Sequence, residues 1–316
     1  MFYTALGNQR TRGLAMKFKL WPVACAMVAS ISLLGCAGLD EEDDEGAPLD
    51  EIELAGNRAP VIFVPPCPPP GVDYPTVAGA FVPLMNYLKA NKGYTDAILF
   101  NWIPNTGLPV CYSSYDLAAA LAVKVQEVRA ATGATKVDLV GASGGPVTAR
   151  VYLAQGGHQF VGKYVSIAGV NHGTDFAIIA GDLQDMFGYP NYEQMKELYP
   201  PYACQGEAYF GESGDVQFDI NGCLTPTGRT VARDETPGTT KYLSIRNLQD
   251  DQIFPNQSAC LNMRFQNDCA DTKVNVAVSV PGGPCDFPAF GNQCPPHVRT
   301  IFDVNVHKTV AKFLTD

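Results

Sequence analysis

Residues 137–153, VDLVGASGGPVTARVYL, run an apolar stretch through five small residues directly into an amphipathic one. A strand that turns into a helix within so few residues needs neighbours small enough for backbones to approach closely, and Gly141, Ala142, Gly144 and Gly145 supply them around Ser143. Pro146 then falls in the first helical turn, where its missing N–H is no loss. The spacing G-x-S-x-G in this setting predicts a nucleophile elbow, a sharp turn that holds a serine in a strained conformation. A plain glycine-rich strand–helix turn has the same spacing, so the reading depends on the rest of the chain.

Apolar strands are expected at 61–64, 96–102, 136–142, 163–169, 241–247 and 273–280. An amphipathic helix is expected over 113–133, its apolar face formed by Leu117, Leu121, Val125 and Val128, and a second over the last twelve residues. Strands alternating with helices of this length imply an α/β fold, a mostly parallel central sheet with helices on both faces. The exception is a long tyrosine-rich stretch from about 172 to 235, read as a cap-like insertion. Its tyrosines suit either an apolar pocket or a small satellite core.

Serine is a poor nucleophile until a base takes its proton, and imidazole is the suitable base. The chain has four histidines. His158 follows the elbow helix in a loop, His172 precedes any candidate acid, and His307 lies on the terminal helix. His297, in CPPHVRTIFDVNV, lies between the last strand and the last helix and is favoured. The acid should follow the next-to-last strand, where Asp250 and Asp251 stand together. The pattern Asp-x-apolar-apolar-Pro at 251–255 favours Asp251, with Asp250 as a solvated neighbour. The chain order Ser143, Asp251, His297 is the one expected of an α/β-hydrolase.

The stretches VDLVGASGG, VSIAGVNHGT, RDETPGTTKYLSI, DDQIFP and HVRTIFDVNVHKTVAKFL together resemble the bacterial lipase class 2 group of α/β-hydrolases, over nearly all of residues 60–316 apart from the insertion. The resemblance implies hydrolysis of carboxylic esters, typically acylglycerols, through an acyl-serine intermediate and without a cofactor. Two departures stand out. The family usually has histidine and methionine flanking the serine, where this chain has Ala142 and Gly144; smaller residues there would widen the site. The family also carries His-Gly after the first strand, where this chain has Pro65-Pro66.

That second departure belongs to VIFVPPCPPPG, residues 61–71, in which Cys67 carries the one backbone N–H between Pro65 and Pro70. By position in the family, the residue after His-Gly donates to the oxyanion. Cys67 N–H and Gly144 N–H are therefore the expected oxyanion donors, with a Cys67–Cys111 disulfide steadying the loop. A rigid polyproline turn that matters only for stability is the alternative.

Ten cysteines are present. Cys25 lies in an apolar leader and Cys36 closes the motif LLGC, which resembles a bacterial lipobox and makes Cys36 the expected lipidation site. An ordinary signal peptide with an incidental cysteine is the alternative. The remaining eight form an even set suited to disulfides in an exported protein, and nearest-neighbour pairing gives 67–111, 204–223, 260–269 and 285–294. Metal-ligand spacings such as C-x-x-C do not occur, so no metal is expected.

The expected organisation is a signal peptide over 1–35, an acidic tether over 36–58 and a hydrolase domain over 59–316. Six consecutive acids, Asp40 to Glu45, make the tether self-repelling. Loss of residues 1–35 leaves 18 basic against 32 acidic residues, a formal charge of −14. Such a surface argues against nucleic acid as a partner. The expectation is an exported monomer, anchored to a bacterial membrane through its lipid, acting on small-molecule or lipid esters. Depolymerisation of a polyester, or lipid binding without catalysis, are the rival readings.

Overall fold

A computed structural model of the chain describes residues 58–66, 68, 72–104, 114–171, 173–174, 235–253, 256–262, 269, 273–287 and 290–316. The leader with Cys36, the acidic tether, Cys67, Cys111, His172 and nearly all of the insertion, with Cys204 and Cys223, lie outside the described residues.

Six strands form one parallel sheet: β1 (Val61–Val64), β2 (Leu99–Asn101), β3 (Val137–Ala142), β4 (Val161–Ile167), β5 (Lys241–Asn247) and β6 (Asn275–Val278), in the order β2-β1-β3-β4-β5-β6. The order reverses beside β1, and in open parallel sheets the carboxyl ends of the strands at such a reversal are where ligands bind. Each strand falls within the stretch expected of it, or within two residues, but the second is shorter: Asp96–Ile98 form a 3₁₀ turn before it.

All four residues of β1 and all six of β3 are buried, because helices cover both faces. Alternation along β1 divides the core. Ile62 and Val64 pack with Leu121, Val125, Val147 and Val151 from α3 (Ser114–Thr132) and α4 (Gly145–Ala154). Val61 and Phe63 face the other way, onto Leu84 and Leu88 of a helix over Val82–Lys92 and Val306, Val310 and Leu314 of the terminal helix, Val304–Thr315. Full burial of each such side chain is worth roughly 1.5–3 kcal/mol.

Two helices between β1 and β2, Tyr74–Gly79 and Val82–Lys92, were not evident in the sequence. These are α1 and α2. Both open with a proline in the first turn, and Asp73 caps α1 by accepting the Thr76 N–H at 2.9 Å. Near the carboxyl terminus a small antiparallel hairpin, β7 (Gly283–Pro284) and β8 (Gln293–Cys294), leads into a short helix α5 (Pro296–Phe302), followed by the terminal helix α6. Sheet order, helical layers and the turn after β3 are those of an α/β-hydrolase. The disulfides Cys260–Cys269 and Cys285–Cys294 are present as nearest-neighbour pairing expects; the other two proposed pairs lie outside the described residues.

Candidate active site

Ser143 follows β3 directly and sits at φ 55°, in the left-handed region that non-glycine residues avoid. Crowding enforces this turn. A Cβ on Gly145 would lie 2.1 Å from the Val64 carbonyl oxygen, and one on Gly141 would lie 2.9 Å from the Pro146 nitrogen. Two backbone bonds strap the turn to the next strand, Ser143 N–H to Ile167 O at 3.1 Å and Val170 N–H to Ser143 O at 3.1 Å. A strained conformation costing on the order of 1–3 kcal/mol persists because the surroundings leave it no alternative.

His297 stands on the first turn of α5, and its imidazole is buried. Its Nε2 is 2.9 Å from Ser143 Oγ, although 154 residues separate the two in sequence. Its Nδ1 lies 2.9 Å from Oδ2 and 3.1 Å from Oδ1 of Asp250. An ionised carboxylate can only accept, so Nδ1 carries the proton and donates to Asp250; Nε2 is then free to accept the serine O–H. The carboxylate–imidazole–hydroxyl chain is thus continuous.

The carboxylate on the ring is Asp250, not Asp251. The expectation for Asp251 is corrected by the turn that follows β5. There the Asp250 Oδ1 accepts the N–H groups of Gln252 at 2.9 Å and Ile253 at 2.8 Å, folding its side chain inward; it is almost wholly buried. With two backbone donors and the imidazole N–H around it, a buried carboxylate loses little by leaving water. Asp251 is exposed, and its Oδ1 accepts the backbone N–H of His297 at 3.0 Å.

Several polar residues to which the sequence assigned no role hold these parts together. The buried Asn247, at the end of β5, donates to Val280 O at 2.8 Å and Thr300 Oγ1 at 2.9 Å, and accepts the Val280 N–H at 2.9 Å. It therefore ties the acid-bearing turn to the stem of the hairpin and to α5. Asn171 donates to Ala259 O at 2.6 Å, and Thr174 Oγ1 donates to Gln252 O at 2.7 Å, joining the loop after β4 to the loop after β5. Arg150 of α4 donates to the Asn171 carbonyl and lies 3.9 Å from Glu235, a buried ion pair that grips both described flanks of the insertion. Buried asparagines and arginines paired across loops leave no spacing signature, so only their unexpected polarity within apolar surroundings could have flagged them.

The remaining histidines are accounted for or lie elsewhere. His158 lies within the 3₁₀ turn Gly157–Phe160 and donates from Nδ1 to Leu153 O at 3.0 Å. His307 is buried in α6 and donates from Nε2 to Ile301 O at 2.8 Å; burial lowers its pKa. Gly144, one of the two expected oxyanion donors, is the N-cap of α4. Cys67, the other, is outside the described residues. Among the described residues no group of three or more His, Cys, Asp or Glu side chains could hold a metal ion.

No family model matches the chain, and no curated protein matches it. Solved structures do. A lipase from Bacillus licheniformis, in its mature form, is 22% identical over 45% of this chain and 54% of its own, with a TM-score of 0.35. This chain therefore spans about half the length of that enzyme. A gene product of Listeria innocua is 13% identical over 82% of this chain and 94% of its own, with a TM-score of 0.47. The 2-hydroxy-6-oxo-6-phenylhexa-2,4-dienoate hydrolase of a Rhodococcus strain is 12% identical over 81% of this chain and 90% of its own, with a TM-score of 0.39.

Proposed function

We propose that this chain is a serine hydrolase of carboxylic esters acting through an acyl-serine intermediate. The observation that carries the proposal is the imidazole of His297 bridging Ser143 Oγ at 2.9 Å and Asp250 Oδ2 at 2.9 Å. His297 takes the hydroxyl proton as Ser143 attacks the ester carbonyl, and Asp250 holds the ring in the required tautomer and stabilises the imidazolium. The alkoxide formed at the carbonyl is stabilised by the N–H groups of Gly144 and Cys67. Each such donor is worth about 3 kcal/mol to the transition state. His297 then gives its proton to the leaving alcohol, and the same nitrogen activates the water that releases the acid.

Acylglycerol-type esters are the proposed substrates, and membership of the bacterial lipase class 2 group is part of the same proposal; both rest on the motif resemblance. Export and anchoring through Cys36 are likewise proposed from LLGC and the apolar run before it. The test is turnover of a soluble short-chain ester beside an emulsified long-chain acylglycerol, by wild type and Ser143→Ala. Wild type should hydrolyse at least the soluble ester, with kcat at least ~10⁴-fold above the variant. Equal rates for the two proteins would refute the reading.

A further inference from the structure

The two consecutive aspartates both reach the same residue, and only one of them meets its ring. We propose that Asp251 is a positioning residue for the base: it fixes the backbone of His297 while Asp250 fixes the imidazole. The proposal rests on the ester-hydrolase reading above, and deepens it.

The start of α5 explains why such a hold is needed. The first N–H groups of a helix have no partner within the helix. Here Pro295 is the N-cap and makes no side-chain cap bond, and Pro296, the first helical residue, has no N–H. His297 is thus the first residue of α5 with an N–H to satisfy. The Asp251 Oδ1 accepts it at 3.0 Å, across 46 residues of chain. The acceptor belongs to the same turn that presents Asp250, itself clamped by the N–H groups of Gln252 and Ile253. One rigid turn therefore grips His297 at two points, the backbone nitrogen and Nδ1. Asn247 already holds α5 through Thr300 Oγ1 and Pro296 O; the two points on His297 add a hold on its own Cα and on the direction of its ring.

This role differs from that of a general structural cap. Asp251 is exposed, so removing its carboxylate opens no cavity and leaves no buried charge unpaired. What changes is the freedom of His297 relative to Ser143, and a displacement of about 1 Å at a reacting group can cost ~10²-fold in rate.

The test compares wild type, Asp251→Ala and Asp251→Asn. Asparagine keeps a side-chain oxygen that can accept the His297 N–H; alanine does not. For Asp251→Ala, kcat on a soluble ester should fall roughly 10- to 100-fold with KM unchanged. Asp251→Asn should restore kcat to within about 3-fold of wild type, as expected where geometry rather than charge is at stake. The low-field proton resonance of His297 Nδ1–H, sharp in wild type and in Asp251→Asn, should broaden or vanish in Asp251→Ala. An unchanged kcat and resonance in Asp251→Ala, or an Asp251→Asn as impaired as Asp251→Ala, overturns the proposal. Inactive wild-type protein would count against the ester-hydrolase reading instead, and the resonance would still decide whether Asp251 orders His297.

Discussion

Asp138 lies near the opposite end of β3 from Ser143, and its carboxyl group is buried. Burial pushes it up from 3.8 to about 7, against the pull of the Lys163 and Lys241 cations, while its Oδ1 accepts the Lys163 N–H at 2.8 Å. The unfolded chain loses this proton near pH 4 and the folded chain holds it until about pH 7. The folded state thus binds the extra proton across that window, so this group makes stability fall as pH rises from about 4 to about 7. Asp138→Asn keeps the acceptor and removes the charge. Melting curves across that window should show a flatter pH dependence for the variant, and at pH 8 a gain of ~1–4 kcal/mol. Identical slopes for the two proteins would contradict the assignment. The neighbouring question of Asp250 against Asp251 shows where residue-level reading fails. The Asp-x-apolar-apolar-Pro spacing selects a turn but not which of two adjacent carboxylates faces inward. That choice is made by the Gln252 and Ile253 N–H groups folding back onto Asp250, a backbone conformation that composition does not encode.

At the level of elements, the described strands and the helices α3 and α6 were legible because burial on one or two faces leaves a period in the sequence. Helices α1 and α2 were hidden by Pro75 and Pro83, residues that read as breakers but are harmless in a first turn. The β7–β8 hairpin was hidden by its shortness. It nevertheless mounts the base: Cys285 and Cys294 close it, and Cys294 is followed by Pro295, Pro296 and His297. Joining residues nine apart in sequence removes chain entropy worth about 2–3 kcal/mol from the unfolded state. Replacing both cysteines by serine should lower the melting midpoint by ~5–10 °C, measured by calorimetry, and lower kcat through a looser His297. A melting midpoint that does not move would show that the bridge bears no part of the fold's stability.

For the molecule as a whole, the site is assembled from three places far apart in the chain: the turn after β3, the turn after β5 and the first turn of α5. A parallel sheet brings strand ends together at one edge, and the strand order reverses beside β1, the place where open parallel sheets carry their sites. Chain order and strand alternation made this architecture legible, and the serine's local motif gave the starting point. The holding groups, Asn247, Asn171 and Arg150, were not legible, because their partners come from loops whose meeting is a product of the finished fold. The central claim is that Ser143 is a nucleophile activated by His297. A fluorophosphonate probe followed by peptide mass spectrometry measures this directly. One probe per chain on Ser143, abolished in Ser143→Ala and strongly slowed in His297→Ala, is the predicted result; no labelling of Ser143 in the folded wild-type protein would contradict it.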